Sequence, residues 1–519
     1  MASRKRVRVH RLLASSAIAL LLAWVSTAGD SLGAQVQTGS VIGLVKDQSA
    51  GVMPGVTVTL TSPAALPSGP MTTVTDSEGR YRFPAVPPGT YTVAMVLEGF
   101  ATYVEKDVVV AVAGTVGLDV ALKPSQLSET ITVSGQAPVV DSTKVAVTAT
   151  VPAELVLLTP AIHSGLNDLQ KWAPGTSPSA PGDENQYMSV MGSPGFETSW
   201  MMDGAMTNNP ASGDIFTAGD PDTLLELQTT ALGASAEYQI AQGGVMNAVL
   251  KSGTNMLRFD LEGSGAPDAF TSKPILMPCP TCPGGGDTGF TNIKTYTAGA
   301  HAGGPIVKDR LWFYGGYGTW VQFQGQPGTN PATDAGSHRN WITTKGTWHV
   351  SDSSNFVGTY YDSPYQLGGV PTASVLYAAT SISPGHSHVY AAEYNKTLSN
   401  STYFVIRSSG WWQNSSTSPL DGNLTASPVM DLVTGITSQG VTSITRYNSG
   451  RNAQALKLDH FFHIGKTEHD LKGGFQLEQN WYNNFSAVSG GVEFLNSNGL
   501  PNEASYQGPT EDGATYTQK

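Results

Sequence analysis

Asp222–Glu262, DTLLELQTTALGASAEYQIAQGGVMNAVLKSGTNMLRFDLE, is where the chain changes character. It reads as a strand, a Gly/Ala/Ser-rich crossing, a second strand, a tight turn and a third strand. Upstream lie small mixed segments with Pro-rich joints. Downstream, aromatic-rich runs of alternating polarity are separated by polar loops, so two architectures meet here.

The 519 residues leave room for two or three domains, and 58 glycines with 32 prolines favour a turn-rich, mostly β protein. Apolar residues are dispersed, with no run of about 18 that would predict a mature membrane helix. A membrane barrel escapes that test, because its lipid face is every second residue. Residues 1–34 read as a secretory signal: Arg4, Lys5, Arg6, Arg8 and Arg11, then the apolar Leu12 to Val25, then Leu32-Gly33-Ala34 as a cleavage site. Its removal takes five positive residues and one negative, moving the formal charge from −12 to −16. Nucleic-acid phosphates would be repelled, and nucleic acid is excluded as a partner.

From Gly39 to Leu122, short alternating runs (Val41 to Val45, Val56 to Leu60, Thr72 to Thr75) are bounded by Gly, Pro and Asp turns, the pattern of a small β-sandwich. Gly79 stands where a turn needs positive φ, and Tyr81 and Phe83 after it share one face. Beyond Asn255 about nine alternating spans follow, from Leu257–Gly263 to His469–Tyr482, each near the 9 to 11 residues of a tilted membrane strand. Lys308-Asp309-Arg310 and Ser351-Asp352-Ser353 suit short periplasmic turns, while residues 264–292 and 413–450 suit extracellular loops. Trp312, Tyr314, Trp320, Trp411, Trp412, Trp481 and Tyr482 are expected in the interface girdles.

Met202-Asp203-Gly204, Ala234-Ser235-Ala236-Glu237-Tyr238, Gly243-Gly244-Val245, Lys251-Ser252-Gly253-Thr254-Asn255 and Gly303-Gly304-Pro305 fall in order over about a hundred residues. Together they resemble the plug-to-barrel passage of TonB-dependent outer-membrane receptors. Gly51 to Val56 and the Asp76 and Pro87 turns resemble the carboxypeptidase-regulatory-like, transthyretin-like domain that one subgroup carries.

The expected fold is mainly β: a small β-sandwich, an α+β plug with short helices near 156–160 and 166–172, then about nine strands of an antiparallel outer-membrane β-barrel. The expected domains are a signal peptide at 1–34, the sandwich at 35–124, a linker at 125–138, the plug at 139–253 and a partial barrel at 254–519. A plugged transporter barrel has roughly 22 strands, and the last residues lack a terminal aromatic. The chain is therefore expected to be the N-terminal portion of a longer receptor.

The resemblance implies ligand import gated by TonB and its inner-membrane energising complex, in contact with outer-membrane lipid. The ligand is a small molecule, peptide or oligosaccharide, and its contacts stay unassigned. A non-transporting envelope binding or adhesion protein is the alternative. Glu129, Thr130, Ile131, Thr132 and Val133 form an extended run, β-branched after Glu129, as strand addition to TonB requires; an ordinary interdomain strand reads the same. Asp203, Gly204, Gly243 and Gly244 are expected to shape the plug.

Catalysis is not expected, since HExxH does not occur and the GxSxG match, Gly29-Asp30-Ser31-Leu32-Gly33, falls inside the signal segment and not on a strand-to-helix elbow. Cys279 and Cys282, among prolines and glycines, read as a local disulfide rather than a metal or redox pair. Met188, Met191, Met201, Met202 and Met206 read as core filler. No cofactor and no metal site are expected.

Overall fold

The computed structural model describes residues 38–62, 70–111, 114–124, 130–134, 147–152, 155, 173–178, 188–213, 219–232, 238, 243–267, 292–324, 336–351, 353–369, 375–399, 401–464, 467–506 and 510–518. The expected signal peptide, the helices at 156–160 and 166–172, Ala234 to Glu237, Glu129, Cys279 and Cys282 lie outside these.

The first strands are β1 (Gly39–Asp47), β2 (Thr57–Thr61), β3 (Met71–Val74), β4 (Arg80–Val86), β5 (Gly89–Val96), β6 (Thr102–Val110), β7 (Thr115–Gly117), β8 (Val120–Leu122) and β9 (Thr130–Ser134). β1 lies between antiparallel β4 and parallel β7, with β8 also pairing it, and the second sheet runs β3-β2-β5-β6-β9. Period-two alternation sets the packing. Val58 and Leu60 of β2, Tyr81 and Phe83 of β4, and Tyr91, Val93 and Met95 of β5 all turn into one core. Tyr81 and Phe83 meet edge to face at 6.2 Å, and Gly79 holds φ +76°. Each such apolar side chain, fully buried, contributes about 1.5–3 kcal/mol.

Next come β10 (Val147–Pro152), β11 (Thr176–Pro178), β12 (Met188–Val190), β13 (Ser199–Met202), β14 (Ala205–Met206), β15 (Leu224–Leu232) and β16 (Val245–Leu250). Five of them form the plug sheet, in the order β10-β15-β16-β13-β14. β16, VMNAVL, is buried at every position, as befits a near-continuous apolar run in the middle of a sheet. Met201 and Met202 are core, as expected, whereas Met191 is exposed and Met206 touches Arg451.

The remaining strands are β17 (Arg258–Pro267), β18 (Asn292–Val307), β19 (Leu311–Gln324), β20 (Gly336–Ser351), β21 (Ser354–Gly368), β22 (Ser381–Ser399), β23 (Thr402–Pro419), β24 (Val429–Asp431), β25 (Ile444–Ile464), β26 (Thr467–Ala487), β27 (Val492–Ser497), β28 (Leu500–Tyr506) and β29 (Thr510–Gln518). Ten of these make one antiparallel sheet, β17-β18-β19-β20-β21-β22-β23-β25-β26-β29. All nine expected spans are present, most of them longer than expected, and β29 is an added tenth. Their extensions occupy parts of 264–292 and 413–450, which were expected to be loop throughout. β24, β27 and β28 form a separate small sheet from the long connections.

The direction of the aromatic residues corrects the girdle expectation. Trp312, Tyr314, Trp320 and Trp411 are buried, and Trp320 and Trp411 join the plug residues Trp200, Met202 and Met246 in one core. The exposed aromatics of the described barrel strands are instead Phe259, Tyr296, Tyr317, Trp348, Phe356 and Tyr360. Strand alternation fixes two faces without saying which is inside; contact with the plug decides it. Between sandwich and barrel, Arg82 reaches Asp470 at 3.7 Å and lies over the Phe461 ring at 4.5 Å.

Candidate functional site at the plug–barrel seam

Asp203 and Gly204 are the two central residues of the β13–β14 hairpin, in which Met202 pairs with Ala205 and Met201 with Met206. Their φ angles are +46° and +73°, and a two-residue hairpin with both centres left-handed is the turn that Asp-Gly sequences favour. The tip points into the barrel wall. Asp203 is 1% exposed. Its Oδ1 accepts from Leu250 N at 3.0 Å and Lys345 Nζ at 3.1 Å, and its Oδ2 accepts from Thr359 Oγ1 at 2.7 Å. Lys345 also donates to the Leu250 carbonyl at 2.9 Å. A buried ion pair is tolerable only when its remaining valences are met, and here plug and barrel meet them jointly.

A second pair stands beside the first. Arg407 of β23 binds Glu393 of β22 and donates to the Gly204 carbonyl at 3.2 Å, while Asn395 donates to Glu393 Oε1 at 2.8 Å. A methyl group on Gly204 would lie 2.3 Å from the Arg407 guanidinium, so the turn glycine serves both conformation and approach. Arg451 and Glu478 form a third buried pair at 3.5 Å. Asp220, at the entrance to β15, meets His301 of β18 at 2.9 Å, and Ser449 donates to Asn209 Oδ1 at 3.2 Å.

Lys345, Glu393 and Asn395 also line a cavity of about 430 Å³, closed by Pro87 to Thr90 of the sandwich and Val249 to Ser252 of the plug. The seam is therefore ionic and bordered by open space, a junction that water can re-enter.

The other expected residues fall into place around it. Gly243 lacks room for a Cβ, which would meet Ser193 Oγ at 2.3 Å, and Gly244 holds φ +98° at the start of β16. Thr130 to Val133 form most of β9, which runs parallel to β6 with Ile131 opposite Tyr103. β9 ends its sheet, so among the described pairings its outer edge is unused. Sequence reading missed Lys345, Thr359, Glu393 and Arg407. The signal available was a charged residue at every-second-position inward sites of barrel strands, as in Trp341-Ile342-Thr343-Thr344-Lys345.

Comparison with known proteins agrees with this geometry. Residues 40–123 match the carboxypeptidase regulatory-like domain model. The chain is 30% identical over 292 residues to the TonB-dependent transporter Oar of Myxococcus xanthus, covering 54% of this chain and 26% of that protein. It thus spans about a quarter of the curated relative it matches. Among solved structures, the outer membrane transporter YddB from Escherichia coli aligns with TM-score 0.53 at 14% identity, over 71% of this chain and 53% of that one. Pseudomonas aeruginosa FpvA, in a complex with a heterologous pyoverdine and iron, aligns with TM-score 0.50 at 9% identity, over 72% and 48%. No described helix is long and apolar enough to cross a membrane. The chain is a homologue of TonB-dependent transporters of the outer membrane, with their plug-and-barrel fold and a carboxypeptidase regulatory-like domain at its front.

Proposed function

We propose that the protein of which this chain carries the sandwich, the plug and ten barrel strands imports a ligand across the outer membrane, with TonB and the inner-membrane proton gradient driving release of the plug. The observation that carries this reading is the seating of Asp203: a plug carboxylate held by Lys345 and Thr359 of the barrel, next to Arg407 on the Gly204 carbonyl. Such contacts fix one register tightly, yet each group can exchange its partner for water as the plug moves. The residues from Glu129 to Val133 are the coupling segment, because an edge strand offers main-chain donors and acceptors to an added strand. The ligand is a small molecule, oligosaccharide or peptide bound from outside, and the low share of charged residues, 13%, together with the aromatics favours the last two.

The test is Ile131→Pro in the intact receptor, since proline removes a strand donor. Uptake of labelled ligand by cells is expected to disappear while surface binding and outer-membrane abundance stay unchanged. Unaltered uptake would overturn the coupling assignment. Surface binding with no uptake in the unmodified protein would identify a binding or adhesion protein instead.

A further inference from the structure

Asp362 of β21 stands opposite His388 of β22, and His386 lies two residues along the same strand, so all three share one face of the sheet. That face is the outer one. Their neighbours Tyr361 and Val389 are buried in the core shared with the plug, and so is Trp411, the residue before Trp412 on β23. Asp362 lies eight residues from Ser354 at the short-turn end of β21. At about 3.3 Å per residue and a tilt near 40° this is roughly 20 Å of height, close to the far edge of an apolar band about 25 Å tall. Exposed Trp348, Phe356 and Tyr360 fill the band below it, and exposed Ile342 lies opposite it on β20.

The donor atoms converge on one point. Asp362 Oδ1 is 2.6 Å from His386 Nε2 and 2.8 Å from His388 Nδ1, and the Tyr360 hydroxyl is 3.0 Å from that same Nδ1. Asp362 Oδ1 and His386 Nε2 are both shut off from solvent, yet neither takes part in a hydrogen bond of acceptable geometry. Groups pressed together without satisfying one another are what a bound cation would resolve. The His388 ring is held in place by Trp412, stacked at 4.6 Å, and by the His386 ring at 4.1 Å.

We propose that Asp362, His386 and His388 form a site for a transition-metal dication such as Zn²⁺ on the outer face of the barrel, near the level of the outer headgroups. Two imidazoles and one carboxylate suit Zn²⁺ and its neighbours rather than Ca²⁺ or Mg²⁺, which take oxygen ligands. Ligand atoms at bond lengths of about 2.1 Å stand roughly 3.4 Å apart around a tetrahedral ion. The 2.6 Å and 2.8 Å contacts to Asp362 Oδ1 therefore open by about 0.6–0.8 Å on binding. The remaining coordination positions face outward, to water or an anionic group, and the ion cross-links β21 and β22.

The test is Co²⁺ titration of the detergent-solubilised chain, read by visible absorption. One equivalent with a four- or five-coordinate spectrum is expected, displaced by Zn²⁺. His386→Asn is expected to weaken it at least about tenfold, and because His386 is partly exposed the variant should keep its fold, checked by heat-dependent migration in detergent gels. A band unchanged in His386→Asn, or one that follows His301→Gln instead, overturns the site. As a measurement on the unmodified chain, equilibrium dialysis should retain one equivalent of Zn²⁺. No retained Zn²⁺ overturns the site equally.

Discussion

The sandwich and the plug–barrel seam bury their cores in opposite ways. In the sandwich, Val41, Val45, Val56, Val58, Leu60, Val93 and Val108 are at or near full burial, and among its described residues Glu105 is the one buried charge. At the seam, Asp203, Lys345, Glu393, Arg407, Arg451 and Glu478 are almost as deeply buried, alongside the apolar plug core. Apolar packing stabilises without requiring a particular partner for each group. Buried ion pairs contribute little net stability but penalise every arrangement except the matched one. One region holds together by apolar area, and the other admits a single seated arrangement.

The largest effect should come from splitting a seam pair. Asp203→Asn leaves Lys345 buried without its counter-charge, and a loss of about 3–5 kcal/mol is expected in denaturant melts of the solubilised chain. Leu60→Ala in the sandwich should remove about 2–5 kcal/mol by leaving a cavity. Hydrogen exchange in Val245–Leu250 should rise for Asp203→Asn and stay unchanged for Leu60→Ala; equal effects on β16 would erase the distinction between the regions.

Gly204→Ala combines a left-handed backbone with a 2.3 Å approach to Arg407, and about 1–3 kcal/mol of destabilisation is expected. Replacing both partners, Asp203→Asn with Lys345→Met, sharpens the comparison most, because Asn keeps the turn conformation and an acceptor for Leu250 N. Stability should be unchanged or higher by about 1–4 kcal/mol, while exchange of the plug strands slows and uptake falls. Retained uptake with a stabilised plug would show that the charges do not serve release.

The smallest effect concerns the sheet of β24, β27 and β28. Asp431 is exposed, and its carboxylate accepts from the backbone N–H of Thr434 at 2.9 Å, Gly499 at 2.6 Å and Val433 at 3.0 Å. These bonds, that of Thr434 first, hold its carboxyl below the ordinary Asp value. Its folded value being the lower one, the contribution is complete above the ordinary range near pH 4 and disappears as pH falls through the folded value. Proteolysis of the loop from about pH 6 to about pH 3 should accelerate in the unmodified chain and begin fast in Asp431→Asn.

Much of this was legible in the residues. Thr57 to Leu60 and Leu311 to Phe323 alternate plainly, and Asp203-Gly204 announced its turn because only a few residue pairs accept two positive φ angles. What alternation cannot supply is the inward sense of a strand, and so Trp312 and Trp411 were expected at the lipid interface when they lie inside. The partners of Asp203 lie 142 and 156 positions away, and no local pattern connects them. The Asp362, His386 and His388 group escaped for the same reason: strand pairing, not spacing, brings the carboxylate to the imidazoles.

The order of strands in the plug sheet has a mechanical meaning. β10 is its first edge and the β13–β14 hairpin its far end, with β15 and β16 between them. A load applied at β9 would travel along the chain to β10 before any other part of the plug. Among the described residues β10 pairs with β15 alone, so pulled from its end its hydrogen bonds would open one after another, as a zip does. Asp203 sits at the opposite end of that series. The anchor would feel tension last, so partial unravelling would open a path while the hairpin still marks the place to which the plug must return.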